Sequence, residues 1–306
     1  MAFINALPGA VAEGLIWGLM AIGVYISFKI LDIADLTVDG SICTGGCVCA
    51  VLLASGTPAW VAIIAAFIAG ALAGALTGFL HTALGIPAIL SGILTQLMLY
   101  SVNLSILGGR SMLAVDPRAN KLLLNMSDRP MAIATMIAII ALSIVCLWLF
   151  FYTEVGLTLK STGDNPDMSR AQGVNVKLNK LIGLALSNGI VAMAGALYAQ
   201  YKGSTNINDG RGAIVIGLAA IFIGLSVSLK IKPNFVVSLI GVTCGSVVYY
   251  IVYNFVMLLG LKTDYLKMLS AIIVAVFLAV PYIKGEYFSK RKPIANIADG
   301  EDKENA

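Results

Sequence analysis

Long apolar stretches recur along almost the whole chain and leave only short polar connections between them. The hydrocarbon core of a bilayer is about 30 Å thick, so a helix needs about 20 consecutive apolar residues to cross it. Runs of this kind cover residues 9–29, 36–54, 59–81, 86–107, 131–152, 180–200, 212–229, 233–258 and 264–283. The sequence therefore predicts an all-α, polytopic membrane helix bundle of about 8–10 transmembrane helices. Residues 39–46 are rich in glycine and polar groups, so the second span is expected to be broken or re-entrant.

The composition excludes a soluble fold. Of the 306 residues, 59% are hydrophobic and only 12% are charged, whereas soluble domains carry about 25% charged residues. The net charge of +4 is small and scattered, which argues against nucleic acid as a partner and is compatible with contacts to lipid headgroups. The first eight residues contain no Lys or Arg, so the first apolar segment is expected to be a retained helix rather than a signal peptide.

Charged residues in the connections indicate the orientation. Placing the C-terminus inside puts most lysines and arginines in the cytoplasm, and Lys284, Lys290, Arg291 and Lys292 anchor the end of the last span. This orientation makes the loop 153–180 cytoplasmic. The chain is then one transmembrane permease domain over residues 1–292, followed by a polar cytoplasmic tail at 293–306.

The loop 153–180 contains a compact set of helix signals. Asn165 or Asp164 can cap a helix N-terminus, Pro166 suits the first helical position and Gly173 suits a left-handed stop. The pattern predicts one short, isolated helix of about two turns outside the membrane. Because the chain has few other loops, we expect this helix to be presented to another protein.

The residues that enzymes use are scarce. The only histidine, His81, lies at the end of a span, where a hydrogen bond at the interface is the expected role. No Gly-x4-Gly-Lys-Ser/Thr sequence is present, so this chain has no phosphate-binding loop of its own and any ATP must be used by a partner. Cys43, Cys47 and Cys49 could form a metal or redox site, but no histidine accompanies them and packing is the favoured interpretation. We expect no cofactor and no catalytic site.

Several polar side chains fall inside apolar spans, where an unpaired polar group is costly. They are Glu13, Thr95, Gln96, Asn103, Asn188 and Gln200. Two interpretations remain: they bond to one another between helices, or Gln96, Asn103 and Asn188 line a solute path. Asp39 is either part of a turn or the entry of a broken helix beside that path. Glu13 is the only carboxylate expected to be buried, which argues against a cation pathway.

Two further patterns concern packing and docking. Gly70, Gly74 and Gly78 recur every fourth residue, and Gly14/Gly18 and Gly241/Gly245 share that spacing. Small residues at this interval allow close approach of helices, either within the chain or at a dimer seam. An outer loop of roughly 20 residues after Arg110 carries charges of both signs and could receive a solute-binding protein or be a simple solvated connection.

Several segments resemble ATP-binding-cassette import permeases of the branched-chain amino acid and ribose type. The likeness covers about residues 10–285 and lies in EGLIWGLMAIG (13–23), LTVDGS (36–41), GIPAILSGILT (85–95), EVGLTLKSTGDNP (154–166) and AQG (171–173). Within that group, 36–41 and 163–166 are most similar to permeases of tryptophan/tyrosine transport systems. Branched-chain members often have an Asn-x-Ala-His-Gly-like turn where this chain has TVDG at 37–40, which weakens any transfer of their substrate preference.

The resemblance implies a multi-pass protein of the bacterial plasma membrane with a type II-like importer fold. It implies a second permease copy, separate ATPase subunits, an extracytoplasmic solute-binding protein and a solute that is an amino acid, possibly an aromatic one. The short helix becomes the coupling helix that enters a groove of the ATPase. Its contact candidates are Asn165, Pro166, Met168, Arg170, Ala171 and Gly173.

Three functional classes follow, in order of preference. The first is an importer permease driven by a partner ATPase through alternating access. The second is an ion-coupled secondary transporter, which commonly shows inverted repeats. No internal repeat is visible in this sequence. The third is a membrane-embedded enzyme, for which a cluster of acids, bases or metal ligands is lacking.

Overall fold

The part of the chain that the structure describes is a helix bundle with a small pair of strands. The computed structural model describes residues 2–115, 122–126, 128–228 and 234–258, with single positions at 268, 271, 272, 275 and 279. The helices are α1 Ala2–Tyr25, α2 Val38–Ala54, α3 Ala59–Thr82, α4 Ala88–Ile106, α5 Arg129–Phe151, α6 Glu154–Asp164, α7 Pro166–Ala171, α8 Val176–Lys202, α9 Ala213–Ser228 and α10 Phe235–Leu258. The strands β1 Met112–Ala114 and β2 Ser204–Asn206 pair antiparallel.

The described helices confirm the predicted membrane bundle. Six of them are long and apolar enough to cross a bilayer, namely Ala6–Ile30, Ala59–Thr82, Ala88–Ile106, Arg129–Phe151, Val176–Lys202 and Phe235–Met257. Two shorter apolar helices, α2 and α9, occupy the predicted spans 36–54 and 212–229. The predicted span 264–283, apart from single positions, and the tail 293–306 lie outside the described residues.

The break expected within the second span lies before α2 and not inside it. Helix α2 runs without interruption for 17 residues, and the irregular segment, 31–37, precedes it. This segment follows a π-helix, Ile26–Ile30, in which the amide of Leu31 donates to the carbonyl of Ile26 at 3.0 Å. The glycines at 40, 45 and 46 lie within this continuous helix, and Gly45 is in very close contact with the backbone of Ala192 in α8. At about 1.5 Å per residue, α2 is only about 26 Å long.

The glycine pattern serves packing within the chain. Gly70 lies against Ala192 and Gly74 against Leu184, so α3 runs antiparallel to α8 at very close range. Gly18 lies against Thr243, so α1 contacts α10 in a similar way. Dispersion between closely packed backbones stabilises such helix pairs in lipid. The alternative of a dimer seam along these glycines is therefore wrong, because other helices of the same chain already cover the helix faces that carry them.

Two groups of three helices have inverted topology relative to each other. In each group, a long helix is followed by a loop, a short helix and a second long helix: α1–α2–α3 and α8–α9–α10. Helix α3 packs on α8, and its counterpart α10 packs on α1. The short helix α2 runs parallel to α8, whereas α9 runs parallel to α1. The structure thus contains a repeat that the sequence did not reveal.

The close approach of α3 to α8 generates a prediction with a matched control. A methyl group added at Gly74 would lie 2.7 Å from the carbonyl carbon of Leu184 and 2.8 Å from Cβ of Asn188. We expect Gly74→Ala to destabilise the bundle by about 1–3 kcal/mol through overpacking. In Gly9→Ala the nearest atom is 4.0 Å away, at Tyr201, so this variant should be neutral or more stable by up to ~1 kcal/mol.

Thermal unfolding in detergent micelles, followed by tryptophan fluorescence, measures both variants. Equal midpoints for Gly74→Ala and Gly9→Ala would show that the α3–α8 contact is looser than the structure indicates.

Candidate coupling helix and translocation cavity

Helix α7 has the start and stop that its sequence predicts. The Asn165 side chain accepts a hydrogen bond from the amide of Met168 at 2.9 Å, which caps the helix, and Pro166 is its first residue. Gly173 adopts φ +81°, and the amide of the next residue, Val174, bonds back to the carbonyl of Ser169 at 3.0 Å. This left-handed position ends the helix.

The prediction of an isolated helix is wrong, because α6 directly precedes α7. Thr153 caps α6 by accepting from the amide of Gly156, and Asn165 both ends α6 and caps α7. Leu159 of α6 is buried against the bundle. The two helices are joined by a hydrogen bond of 3.2 Å from the Ser169 hydroxyl to that of Ser161.

The predicted contact residues lie mainly on the exposed side of α7. Met168 is 58% exposed. The Arg170 guanidinium pairs with Asp167 at 3.2 Å, and both side chains are largely exposed. Asn165, Ala171 and Gly173 are exposed as well, and Pro166 is half-buried. An exposed apolar side chain beside an exposed charge forms a surface suited to a protein partner.

The α6–α7 unit rests on the end of helix α1. Gly163 lies against the carbonyl of Ile30, and a methyl group there would be 3.0 Å from Cα of Leu31. The Asn179 amide of α8 donates to the Thr162 hydroxyl at 3.0 Å, which ties α6 to α8. The π-helix and the segment 31–37 therefore connect this unit to the interior.

A buried polar network lies at the other end of the segment 31–37. The Asn188 amide nitrogen donates to Asp35 at 2.6 Å, and the Ser41 hydroxyl donates to the Asn188 oxygen at 2.7 Å. The backbone amide of Thr37 donates to the second Asp35 oxygen at 2.9 Å, and the Thr37 hydroxyl bonds to that of Thr77 at 2.7 Å. These contacts join α2, α3 and α8 to the segment 31–37.

Sequence reasoning missed the role of Asp35. The carboxyl group of Asp35 is buried, with the residue only 2% exposed, so the expectation that Glu13 alone would be buried is wrong. The sequence could have indicated this role, because Asp35 lies in a short connection between two spans. A carboxylate flanked by apolar residues there must find hydrogen-bond donors. Asn188, named as a path residue, belongs to this network and is not among the cavity-lining residues.

Asp39 caps a different helix from the one expected. Its two carboxylate oxygens accept from the amides of Gly212 at 2.8 Å and Ile214 at 2.9 Å, at the start of α9. The sequence left two interpretations open, a turn or the entry of a broken helix, whereas Asp39 lies in the first turn of the unbroken helix α2, whose cap is Thr37 without a side-chain bond. The short helices α2 and α9 consequently begin beside each other.

A cavity of about 310 Å³ lies where these two helices begin. It is lined by Asp39, Gly40, Cys43, Gln96, Leu97, Tyr100, Asn103, Ile207 and Arg211. Three of the four predicted path residues, Asp39, Gln96 and Asn103, therefore meet in one place. A second cavity of about 510 Å³ lies beside α6 and includes Lys29 and Lys160 in its lining.

The remaining candidates have packing roles. The Cys43 sulfur accepts from the amide of Gly210 at 3.0 Å, and the Gln200 amide donates to the Cys49 sulfur at 3.5 Å. Cys47 is fully buried. His81 Nδ1 lies 2.9 Å from the carbonyl of Ile86, a bond at a helix end as expected. Within the described ranges, no group of three His, Cys, Asp or Glu residues is arranged to hold a metal ion.

The Asp35–Asn188 pair predicts strong energetic coupling between the two residues. Either Asp35→Ala or Asn188→Ala leaves a buried polar partner unsatisfied and should lower the free energy of unfolding by about 1–3 kcal/mol or more. The double variant removes both groups, so it should cost less than the sum of the two by at least ~0.5 kcal/mol. Chemical unfolding in mixed micelles measures the cycle, with the exposed Asn208→Ala as control. Additive costs would contradict a direct bond.

Comparisons with known proteins agree with this architecture. The family model "Branched-chain amino acid transport system / permease component" matches residues 9–280. A tyrosine transport system permease protein of Clostridioides difficile is 37% identical over 275 residues, which cover 90% of this chain and 91% of the relative. The ribose import permease protein of Escherichia coli is 24% identical over 273 residues, covering 89% and 84%. An uncharacterised protein of Rickettsia prowazekii is 32% identical over 284 residues, covering 92% and 99%. No solved structure matched.

The family match and the six long apolar helices establish a multi-pass protein of the bacterial plasma membrane that acts in transport and is not an enzyme. The chain belongs to the branched-chain amino acid transport system permease family and is the membrane-spanning permease subunit of an ATP-binding-cassette importer.

Proposed function

We propose that this permease imports an amino acid with an aromatic side chain and that a partner ATPase drives it through α7. Permeases of this family work with separate ATPase and solute-binding subunits. The observation that carries the proposal is α7 itself, a short helix with its own cap and stop, held outside the bundle with Met168 and Arg170 exposed. The nature of the solute is supported by the tyrosine permease among the relatives.

The proposed contact with the ATPase uses the cytoplasmic face of α7. Met168 would enter an apolar groove of the ATPase, and Arg170 would meet an acidic group beside it. Asn165, Pro166, Ala171 and Gly173 fix the backbone at the two ends and complete the surface. Since the Arg170–Asp167 pair is exposed, it contributes little to folding, and Arg170 is free to exchange this partner for one on the ATPase.

Movement of α7 would reach the cavity through a continuous set of contacts. Helix α7 is bonded to α6, and Gly163 of α6 lies on the last residue of the π-helix, Ile30. The segment 31–37 leads from there to Asp35 and then directly into α2, which carries Asp39. π-Helical turns often occur at functional sites, and packed helices shift as rigid bodies. A pull on α7 would thus alter the cavity at the start of α2 and α9.

The remaining partners follow from the exposed surfaces. Helix α4 exposes many large apolar side chains, among them Ile89, Leu90, Ile93, Leu94, Leu97 and Met98. A second copy packed here would form a homodimer and close the cavity, because Leu97 and Tyr100 are both exposed and line it. Lipid would cover the exposed apolar face of α5. The solute-binding protein would dock at the end of the bundle opposite to α7, near the β1–β2 pair.

A reconstituted importer tests the coupling. In proteoliposomes with the ATPase and binding subunits, Arg170→Glu and Met168→Asp should each lower ATP-driven uptake at least 10-fold, since interface hot spots contribute about 2 kcal/mol or more. Thermal unfolding of the permease should be unchanged. Lys177→Glu reverses a nearby exposed charge outside α7 and should keep near-normal uptake.

Normal uptake by both α7 variants would overturn the proposed role of α7. The inverted repeat removes one argument against an ion-coupled transporter, so the energy source needs its own measurement. Uptake of tyrosine in vesicles that hold a proton or sodium gradient but no ATP should be at background. Gradient-driven uptake without ATP would contradict the assignment of the energy source.

A further inference from the structure

We infer that the 310 Å³ cavity recognises the two charged groups of a free amino acid, with Arg211 binding the carboxylate and Asn103 and Asp39 binding the ammonium group. This inference rests on the proposed function and adds the residues that select the solute. Neither Arg211 nor this division of roles follows from the sequence pattern. Three observations support it: a buried acceptor without a partner, a carboxylate with spare capacity and a cation that forms no ion pair with any described residue.

Asn103 supplies the unsatisfied acceptor. The residue lies on α4, is 1% exposed and lines the cavity. Its Oδ1 atom is buried and has no hydrogen-bond partner among the described residues. A buried carbonyl oxygen without a donor costs free energy, and an N–H donor of a ligand would relieve this cost. An ammonium group provides three N–H donors in a compact volume.

Asp39 supplies a second acceptor in the same cavity. Each of its oxygens accepts one backbone N–H, from Gly212 or Ile214. The amide of Ala213 also interacts with this carboxylate, which has about four lone-pair positions, so it can still accept a hydrogen bond from a ligand. The half-buried negative charge of Asp39 favours a cationic donor over a neutral one.

Arg211 supplies the cation. Its backbone is held on both sides, because the amide of Gly210 bonds to the Cys43 sulfur and the amide of Gly212 bonds to Asp39. The side chain is exposed and lines the cavity, and the structure shows no ion pair for it in the described part of the chain. A guanidinium group matches a carboxylate with two parallel hydrogen bonds.

The rest of the lining accommodates the amino acid side chain. Leu97, Tyr100 and Ile207 present apolar or aromatic surface between the polar groups. A volume of 310 Å³ lies at the small end of the range for ligand pockets, about 300–1,000 Å³. A neutral sugar would leave both Arg211 and Asp39 without a charged partner. The cavity should therefore reject ribose, although a ribose permease is among the relatives.

Analogues that each lack one charged group test the assignment. The probes are L-phenylalanine, phenethylamine, which lacks the carboxylate, and 3-phenylpropionate, which lacks the amine. Binding to the full-length chain in lipid nanodiscs is measured by calorimetry. Arg211→Gln should weaken the binding of phenylalanine roughly 10- to 100-fold and leave the binding of phenethylamine unchanged.

The complementary variant, Asn103→Leu, should weaken the binding of phenylalanine and of phenethylamine by roughly 10-fold and leave the binding of 3-phenylpropionate unchanged. Arg110→Gln removes an exposed arginine from the loop after α4, outside the cavity, and serves as the control. Equal weakening of all three probes by either cavity variant would indicate a loss of structure and would overturn the inference. The inference would also be overturned if neither cavity variant changed the binding of any probe, or if the unmodified chain did not bind phenylalanine.

The same variants in the reconstituted importer separate this inference from the proposed function. ATP-driven tyrosine uptake by Arg211→Gln at the rate of the unmodified importer would overturn the inference and leave the importer intact. Charge-selective binding in nanodiscs without any ATP-driven uptake would support the inference about the cavity and contradict the proposed function.

Discussion

A carboxylate buried among apolar helices, that of Asp35, is the constraint on which this structure depends. The residue is almost fully buried, so the protein must supply donors, and it does so with the Asn188 amide and the Thr37 backbone. These bonds fix the segment 31–37 against α8 and hence the point at which α2 begins. The position of Asp39, and with it the cap of α9, follows from that point.

The close packing of α3 on α8 supports the same network from the other side. Asn188 lies within the stretch of α8 that Gly70 and Gly74 approach, so small residues on α3 leave space for the network between the helices. Thr77, on the next turn of α3, bonds to Thr37. Glycine spacing and polar contacts are therefore two parts of one arrangement: the first allows close approach, and the second determines register.

Much of the fold could be predicted because its signals are local. Apolar runs give the helices, and Asn165, Pro166 and Gly173 give the limits of α7. Contacts between distant segments could not be predicted in this way. Asp39 looks like a cap for the residues that follow it, yet its donors come from residues more than 170 positions later. The inverted repeat was also hidden, because helices in lipid need only be apolar and can share a packing pattern without sharing a sequence. The cavity joins three of the residues named for a solute path, Asp39, Gln96 and Asn103, but Arg211 enters it only through the fold.

The meeting of α2 and α9 has an electrical consequence. Each helix N-terminus carries about half a positive unit charge from the aligned peptide dipoles, and α2 and α9 begin beside each other next to Arg211. The carboxylate of Asp39 offsets part of this charge, and the carboxylate of Asp209 also acts on Cys43 in the cavity lining. The cavity is therefore surrounded by fixed charges of both signs, an arrangement that favours a zwitterion over an ion that carries charge of one sign only.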